Sequence, residues 1–535
     1  MSDRARCISP YGPDASSAYA SIGEDDPMTL DDELLAERMR ELAGRVPDRR
    51  DVLDVLEAFI RTTDDRELVR INPIRFAGEQ GCDEAGVIEL FLHARKIGLL
   101  HMEWHYVCPG CGDIVESFQS LTSATAHYFC QICTANRDAD LSDFVEITFS
   151  VSKEIRESSY HDPWSLTPED YFFSYRFTGN GIMADGTTIR EHLRRGAAVC
   201  AFLEPRETRT FDCMANPGFL YFTNGPALVV SDSHTEETQH VAFEYTGPRA
   251  ESFEGELEAG PLSFDFTNAT DHRYALLVAN LPGDYLWTMG PFLSASQVLS
   301  NQTFLDLFAS ETIVAAEGLE VRRLTLLFTD IQGSTAMYER VGDMKAFDVV
   351  RLHFGFLRES ISRNAGALVK TIGDAVMASF HDPLDALRAA LDMHARIAAF
   401  NADAGDELIT LKVGAHTGTC LAVTLNGRLD YFGQAVNLAA RVQALSEGND
   451  IVLTDEMARA AGVRELLAGY AVDAEAVELK GIQGAVRVHR VSGALADIGA
   501  TRPRMRPPLG KARSALSASA DQWRESEGTG RFPQQ

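Results

Sequence analysis

Short apolar runs separated by amphipathic stretches fill the last third of the chain. Runs at 324–330, 367–373 and 375–380 have the length and composition of strands, and 409–415 and 420–425 repeat the signal. Between the first two, Phe347, Val350, Phe354, Leu357 and Ile361 recur at three- and four-residue steps, which predicts a helix with one buried stripe. A second helix is predicted from Asp382-Pro383, a cap followed by a first-turn proline, through Leu384, Leu387 and Leu391. The local pattern is that of a two-layer α/β sheet.

Upstream the periods differ. Leu35, Met39 and Leu42, then Leu53, Leu56 and Phe59, then Val87, Leu90, Phe91 and Ala94 predict amphipathic helices within residues 29–106. From Val145 the period drops to two, with Ile147, Phe149 and Val151 alternating against Glu146, Thr148 and Ser150. Later runs at 218–221, 227–230, 262–266 and 274–279, punctuated by Asn-Gly, Pro-Gly and Gly-Pro turns, predict an antiparallel β domain over 142–290, with a sandwich as its expected form. Residues 291–320 read as a linker or coupling helix, and 1–28 and 493–535, which lack any period, as disordered.

Charge narrows the classes of partner. The chain has 535 residues, with 49 Lys and Arg against 78 Asp and Glu, a net −29 that repels nucleic acid and anionic membrane unless a local basic patch intervenes. A helical segment beside a cysteine-rich module can bind nucleic acid, but residues 61–106 hold six basic against eight acidic side chains and 107–146 one against six. No run approaches the ~18 apolar residues that span a bilayer, and the start, Met-Ser-Asp-Arg-Ala-Arg-Cys, has no apolar signal core. The expectation is a cytoplasmic protein with no nucleic-acid partner and no membrane insertion.

Four of the nine cysteines are clustered as Cys108-Pro-Gly-Cys111 and Cys130-Gln-Ile-Cys133, and the 18 residues between the pairs match a tetrathiolate zinc site built from two knuckles. Glycines at 110 and 112 allow the tight turn in which backbone N–H groups face sulfur. With all four valences filled, one Zn²⁺ per chain would be structural, making 107–141 a zinc ribbon. The competing reading is two free or redox-active pairs. His105 and His127 flank the cluster and are surplus to a four-coordinate shell.

The chemistry points to the last third. Asp330 and Asp374 end two strand-like runs, and the first continues as Ile331-Gln332-Gly333-Ser334-Thr335, a Gly-Ser turn into a helix that offers backbone N–H groups to a phosphate. Two carboxylates beside such a turn can hold two Mg²⁺ ions. Sixty residues on, Asn437 and Arg441 stand four apart and share a helix face, where an amide and a guanidinium could orient a ribose and stabilise an oxyanion. Taken singly, Asp330 could be a helix cap, Asn437 an Asx turn and Arg441 a surface residue.

Together these residues resemble the class III nucleotidyl cyclase catalytic domain, and the likeness runs from about residue 321 to 492. The resemblance implies a ferredoxin-like two-layer α/β fold, with Mg²⁺ or Mn²⁺, two per active site, at Asp330, Ile331 and Asp374. It further implies a purine read by Lys370 and Asp430, a ribose oriented by Asn437 and transition-state charge neutralised by Arg441. An ammonium donating to an adenine ring nitrogen and a carboxylate accepting from its amino group favour ATP, because guanine would set its carbonyl against Asp430. In that family the metal aspartates and the other groups come from different protomers, so a homodimer with two shared sites is implied. Lys480, in Glu-Leu-Lys-Gly-Ile-Gln-Gly, falls near the family's phosphate-binding lysine or is a solvated turn residue; His416 and Cys420 read as packed or turn residues. Residues 60–300 resemble the uncharacterised domain that precedes the cyclase domain in some bacterial proteins. Three readings compete: an adenylate cyclase regulated by its N-terminal half, a guanylate cyclase, and a catalytically silent nucleotide-sensing or scaffold module.

Overall fold

A computed structural model describes residues 30–492, apart from 134, 140, 224–226, 248–255, 282–285, 309–317, 405–408 and 426–427. The terminal stretches 1–28 and 493–535, expected to be disordered, lie outside the described residues.

Four helices open the chain, Asp32–Arg45, Arg50–Thr62, Pro73–Gln80 and Glu84–Lys96. Three begin where a short acceptor takes up first-turn N–H groups: Asp31 from Leu34, Asn72 from Ile74 and Arg75, and Asp83 from Gly86. Their buried faces, with Leu35, Leu56, Ile60, Phe76 and Phe91, close over Trp104 and Phe149 of a sheet ordered Leu293–Ser294, Val145–Val151, Leu100–Val107, Ile114–Phe118. The strand Val145–Val151, expected to open the β domain, is instead central to this sheet and buried along its whole length. Its polar positions are buried because each finds a partner: Glu146 accepts from Thr178 and Asn180, Thr148 meets His105, and Ser150 accepts from the Arg70 N–H.

The β domain itself is a seven-stranded sheet over 197–281, with a core that includes Phe211, Phe222, Phe243 and Phe264. It departs from the antiparallel expectation, since Glu256–Asn268 runs parallel to both Ala227–His234 and Gln239–Tyr245. A period of two is the same in either orientation, so alternation could not tell them apart. At Gly260, with φ +154°, the long strand crosses against Thr235, whose carbonyl oxygen would lie 2.3 Å from any Cβ there.

Two short helices, α1 (Ala295–Leu299) and α2 (Gln302–Leu307), lead to the last domain. Its main elements are β1 (Leu319–Ile331), α3 (Ser334–Val341), α4 (Asp343–Arg363), β2 (Gly366–Ile372), β3 (Ala375–Phe380), α5 (Pro383–Ala404), β4 (Leu411–Leu425), β5 (Arg428–Phe432), α6 (Gln434–Ala444), β6 (Asp450–Thr454), β7 (Ala471–Glu478) and β8 (Ala485–Ser492), with two short helices between β6 and β7. The sheet order is β2-β3-β1-β4-β6-β8-β7, with β5 paired to β4 and, among the described residues, only β4–β6 parallel. Helices α4 and α5 cover one face, where Leu327, Val376, Phe380, Leu387, Met393, Val413 and Leu453 are buried. The stripe on α4 runs Ala346, Val349, Val350, His353, Leu357 and Ile361; Phe347, expected in it, is 61% exposed because the helix's first turns turn that side to solvent. On the other face α6 buries Ala435 and Ala439 against Phe328, Cys420 and Ala422, and this core is continuous with that of the N-terminal helices through Leu299 and Phe304. Among the described residues no helix is long and apolar enough to cross a membrane.

Candidate active site

The aspartate pair arises from local features of the sheet. Asp330 closes β1, and Asp374 sits in the β2–β3 turn after Gly373, whose φ of +65° suits a residue without a Cβ. Because β1 and β3 pair through Thr329 and Val376, the two carboxylates become neighbours. Burial and then the Asp374 charge push the Asp330 carboxyl above its ordinary value. Asp374 Oδ2 is buried and has no hydrogen-bond partner among the described residues. Two crowded carboxylates, one with an orphaned oxygen, form a donor set that a divalent cation fits. The adjoining turn binds back to the sheet through Gln332 N to Thr410 O, 2.9 Å, and Gly333, at φ +66°, starts α3 with Ser334 and Thr335 in its first turn.

The second pair lies elsewhere on the sheet. Lys370 of β2 donates to Asp430 Oδ2 of β5 at 2.6 Å, while Asp430 Oδ1 accepts from the Tyr431 N–H at 2.8 Å. On α6, Asn437 is exposed and Arg441 half-buried, on the side away from buried Ala435, Ala439 and Val442. A Cβ on Gly481 would stand 3.5 Å from Arg441 Nη2, so this guanidinium lies over the loop of Leu479, Lys480, Ile482 and Gly484, which lines a cavity of about 500 Å³. Lys480 lines this cavity together with Glu478, and among the described residues Arg441 has no ion pair. No hydrogen bond or ion pair among those residues joins Asp330 or Asp374 to Lys370, Asp430, Asn437 or Arg441.

Some neighbours of these groups carry little sequence signal. His353 of α4 is buried beside Asp374, and burial lowers its imidazole to about 4, so it is neutral at pH 7. Its place in the α4 stripe was open to the three-four period. Gln302 accepts from the Leu368 N–H near Lys370, and Tyr431, next to Asp430, donates to the Leu299 carbonyl, both across long stretches of chain that no local pattern marks. His416 is buried with Nδ1 2.9 Å from Thr454 Oγ1, and Cys420 is buried.

A separate cluster forms in the N-terminal half. The sulfurs of Cys108, Cys111, Cys130 and Cys133 all lie within 4.8 Å of one another, with Cys108–Cys133 at 3.7 Å and Cys111–Cys130 at 3.6 Å. A tetrahedral zinc with ~2.3 Å bonds requires sulfurs about 3.8 Å apart, so the donor set fits that ion. Hydrogen bonds from the neighbouring thiols hold Cys108 far below the ordinary thiol range, whereas burial pushes Cys111 above it. The cluster is fastened to its domain just after the first knuckle, where Arg176 donates to both oxygens of buried Asp113 at 2.6 and 3.2 Å. His105, buried between Ser117 and Thr148, and exposed His127, paired with Asp138, take other partners.

Comparison with known proteins divides the chain in two. Residues 39–306, just over half of it, match the family described as "Family of unknown function (DUF5939)", and 318–493 match the "Adenylate and Guanylate cyclase catalytic domain". Among curated relatives, the chain is 30% identical to an adenylate cyclase of Anabaena cylindrica, over 34% of this chain and 40% of that protein. It is 26% identical to adenylate cyclase 2 of Rhizobium meliloti (strain 1021), over 43% and 68%. It spans less than half the length of the Anabaena protein, and 6% of an adenylate cyclase of Mycosarcoma maydis. Among solved structures, the adenylyl cyclase CyaB from P. aeruginosa aligns at 22% identity over 34% of this chain and 100% of that one, with a TM-score of 0.29, too low to carry an argument. The chain thus belongs to the family of unknown function matched over residues 39–306, and joins to it, at residues 318–493, a class III cyclase catalytic domain.

Proposed function

We propose that the protein is an adenylate cyclase, converting ATP to 3′,5′-cyclic AMP and pyrophosphate. The 3′-hydroxyl oxygen forms a bond to the α-phosphorus, the bond from that phosphorus to the β-phosphate oxygen breaks, and the hydroxyl proton is lost. The observation that carries this reading is the Lys370–Asp430 pair, 2.6 Å apart, within a domain that matches the cyclase model. A lysine donor and a carboxylate acceptor complement the ring nitrogen and amino group of adenine, and guanine's carbonyl would meet Asp430 acceptor to acceptor. Arg441, without an ion pair among the described residues, is available to the charge that grows on the α-phosphate, and Lys480, next to the Gly481 over which Arg441 lies, to the outer phosphates. Asn437, one turn before Arg441, is placed to hold the ribose.

Asp330 and Asp374, with the Ile331 backbone beside them and the Ile331–Thr335 turn facing phosphate, would hold Mg²⁺ or Mn²⁺. When bound, the metal supplies positive charge to the triphosphate and acidifies the attacking hydroxyl. Separation of these carboxylates from the base and ribose groups within one chain supports sites shared across a homodimer. Ile372, Leu421, Leu425 and Phe432, exposed by 52, 38, 48 and 66%, give the β2 and β4–β5 ends an apolar surface suited to that contact. We place one structural Zn²⁺ on Cys108, Cys111, Cys130 and Cys133, a ferredoxin-like layering on the catalytic domain, and the protein in a reducing cytoplasm.

The test is purified protein with Mg²⁺ or Mn²⁺ and either ATP or GTP, with cyclic nucleotide measured. Cyclic AMP as the main product is expected; cyclic GMP would overturn the base assignment, and no product from either nucleotide the activity itself. Mixing inactive Asp330→Ala and Asn437→Ala chains should restore about a quarter of native activity if sites are shared and chains assort at random. No recovery would exclude shared sites.

A further inference from the structure

The two short helices before the catalytic domain grip both strands that carry the base-reading pair. β2 ends the sheet on one side, so among the described residues one side of its backbone has no strand neighbour. On that side Leu368 donates its N–H to Gln302 Oε1 of α2 at 2.8 Å. Between Leu368 and Lys370 the register against β3 slips by one residue, leaving Val369 as a bulge. Strict alternation would set Lys370 on the face of Leu368, which packs into the core under α4 and α5. The extra residue breaks that alternation, and the ammonium reaches Asp430 instead.

The other strand is held from α1. Tyr431, next to Asp430, is 2% exposed and donates its hydroxyl to the Leu299 carbonyl at 3.2 Å. α2 is anchored in turn to both halves of the protein. Phe304 packs edge-to-face on Trp104 of the N-terminal sheet at 6.0 Å, Lys96 donates to the Leu307 carbonyl at 2.8 Å, and Asp306 pairs with Arg358 of α4.

We propose that Gln302 is a positioning residue for purine recognition: its side-chain carbonyl holds the bulge of β2 and so sets where Lys370 stands relative to Asp430. The inference rests on the adenylate cyclase reading and adds to it a specificity determinant outside the catalytic domain. Through Phe304 and Trp104, the packing of the N-terminal half reaches base selection.

Gln302→Leu removes the acceptor and leaves the Leu368 N–H unpaired, Gln302→Glu keeps an acceptor oxygen, and Tyr431→Phe deletes only the hydroxyl of the second contact. In the full-length protein, Gln302→Leu is expected to lower the ATP-over-GTP ratio of kcat/KM by about tenfold, chiefly through KM, with kcat for ATP within about twofold. Gln302→Glu should restore the ratio, and Tyr431→Phe should lower it in the same sense even if Gln302→Leu fails to fold. Calorimetric titration with α,β-methylene ATP and GTP reads the same preference without turnover. Native protein that binds the adenine analogue preferentially but makes no cyclic AMP would sink the activity and leave the positioning role to be judged on binding. An unchanged base preference in folded Gln302→Leu, or equal loss of kcat for both nucleotides with KM unmoved, would overturn the role of Gln302.

Discussion

Replacing Asp430 with asparagine tests base recognition at a single atom. Its Oδ1 accepts from the Tyr431 N–H and its Oδ2 from Lys370 Nζ, at 2.8 and 2.6 Å. In Asp430→Asn the oxygen stays with the Tyr431 N–H, and the amide NH₂ takes the position that faced the lysine and would face the purine. Adenine's amino group then meets a donor, and a charge-assisted hydrogen bond of about 1.5–3 kcal/mol is lost, lowering kcat/KM for ATP about 10- to 150-fold. Guanine's carbonyl meets a donor in place of a carboxylate, which gains about 2- to 10-fold for GTP. The ratio of the two therefore falls by about 20-fold or more, as a product of these factors. The fold should survive, because the Lys370 side chain, 39% exposed beside a carboxylate 11% exposed, can carry its ammonium to water once the carboxylate is gone. The assay is steady-state formation of cyclic AMP and cyclic GMP by the full-length protein, beside a thermal melt. A variant with an unaltered melt and an unaltered ATP-to-GTP ratio would refute the assignment of Asp430 to the base.

Three other expectations follow from the geometry. Asp113→Ala strands the Arg176 guanidinium, 15% exposed against a 1% exposed carboxylate, so the N-terminal half should lose about 3–5 kcal/mol, and an unchanged urea midpoint would contradict the buried pairing. Cys130→Ser should reduce bound zinc, measured by mass spectrometry of the native protein, from one per chain toward none; full occupancy would remove that cysteine from the ligand set. The Asp330 carboxyl titrates higher folded than unfolded, so the folded state binds its proton more tightly and loses stability as pH rises from the ordinary aspartate range through the raised value. Asp330→Asn removes that loss: without added Mg²⁺ it should melt above the native protein at pH 7, match it below the ordinary range, and form no cyclic nucleotide. A melt below the native one at pH 7 would argue against the crowded carboxylates.

Much of the local geometry around the candidate residues was legible along the chain. Asp330 before Gly333-Ser334, Gly373 before Asp374, and Asn437 one turn from Arg441 each depend on spacings of a few residues, which a strand end, a hairpin turn and a helix turn translate directly into position. The cysteine knuckles are legible for the same reason, since each pair needs only its own tight turn.

Only tertiary structure decided where those pieces sit. Period-two alternation identified Val145–Val151 as a strand but could not say which sheet it joins, because Glu146, Thr148 and Ser150 look solvent-facing until Thr178, Asn180, His105 and Arg70 arrive from elsewhere in sequence. The parallel course of Glu256–Asn268 was equally hidden, as was the exposure of Phe347. The contacts of Gln302 with β2 and of Leu299 with Tyr431 span 66 and 132 residues. A hydrogen bond over such a distance leaves no period in the sequence, and exists only because the sheet edge and the connecting helices fold against each other.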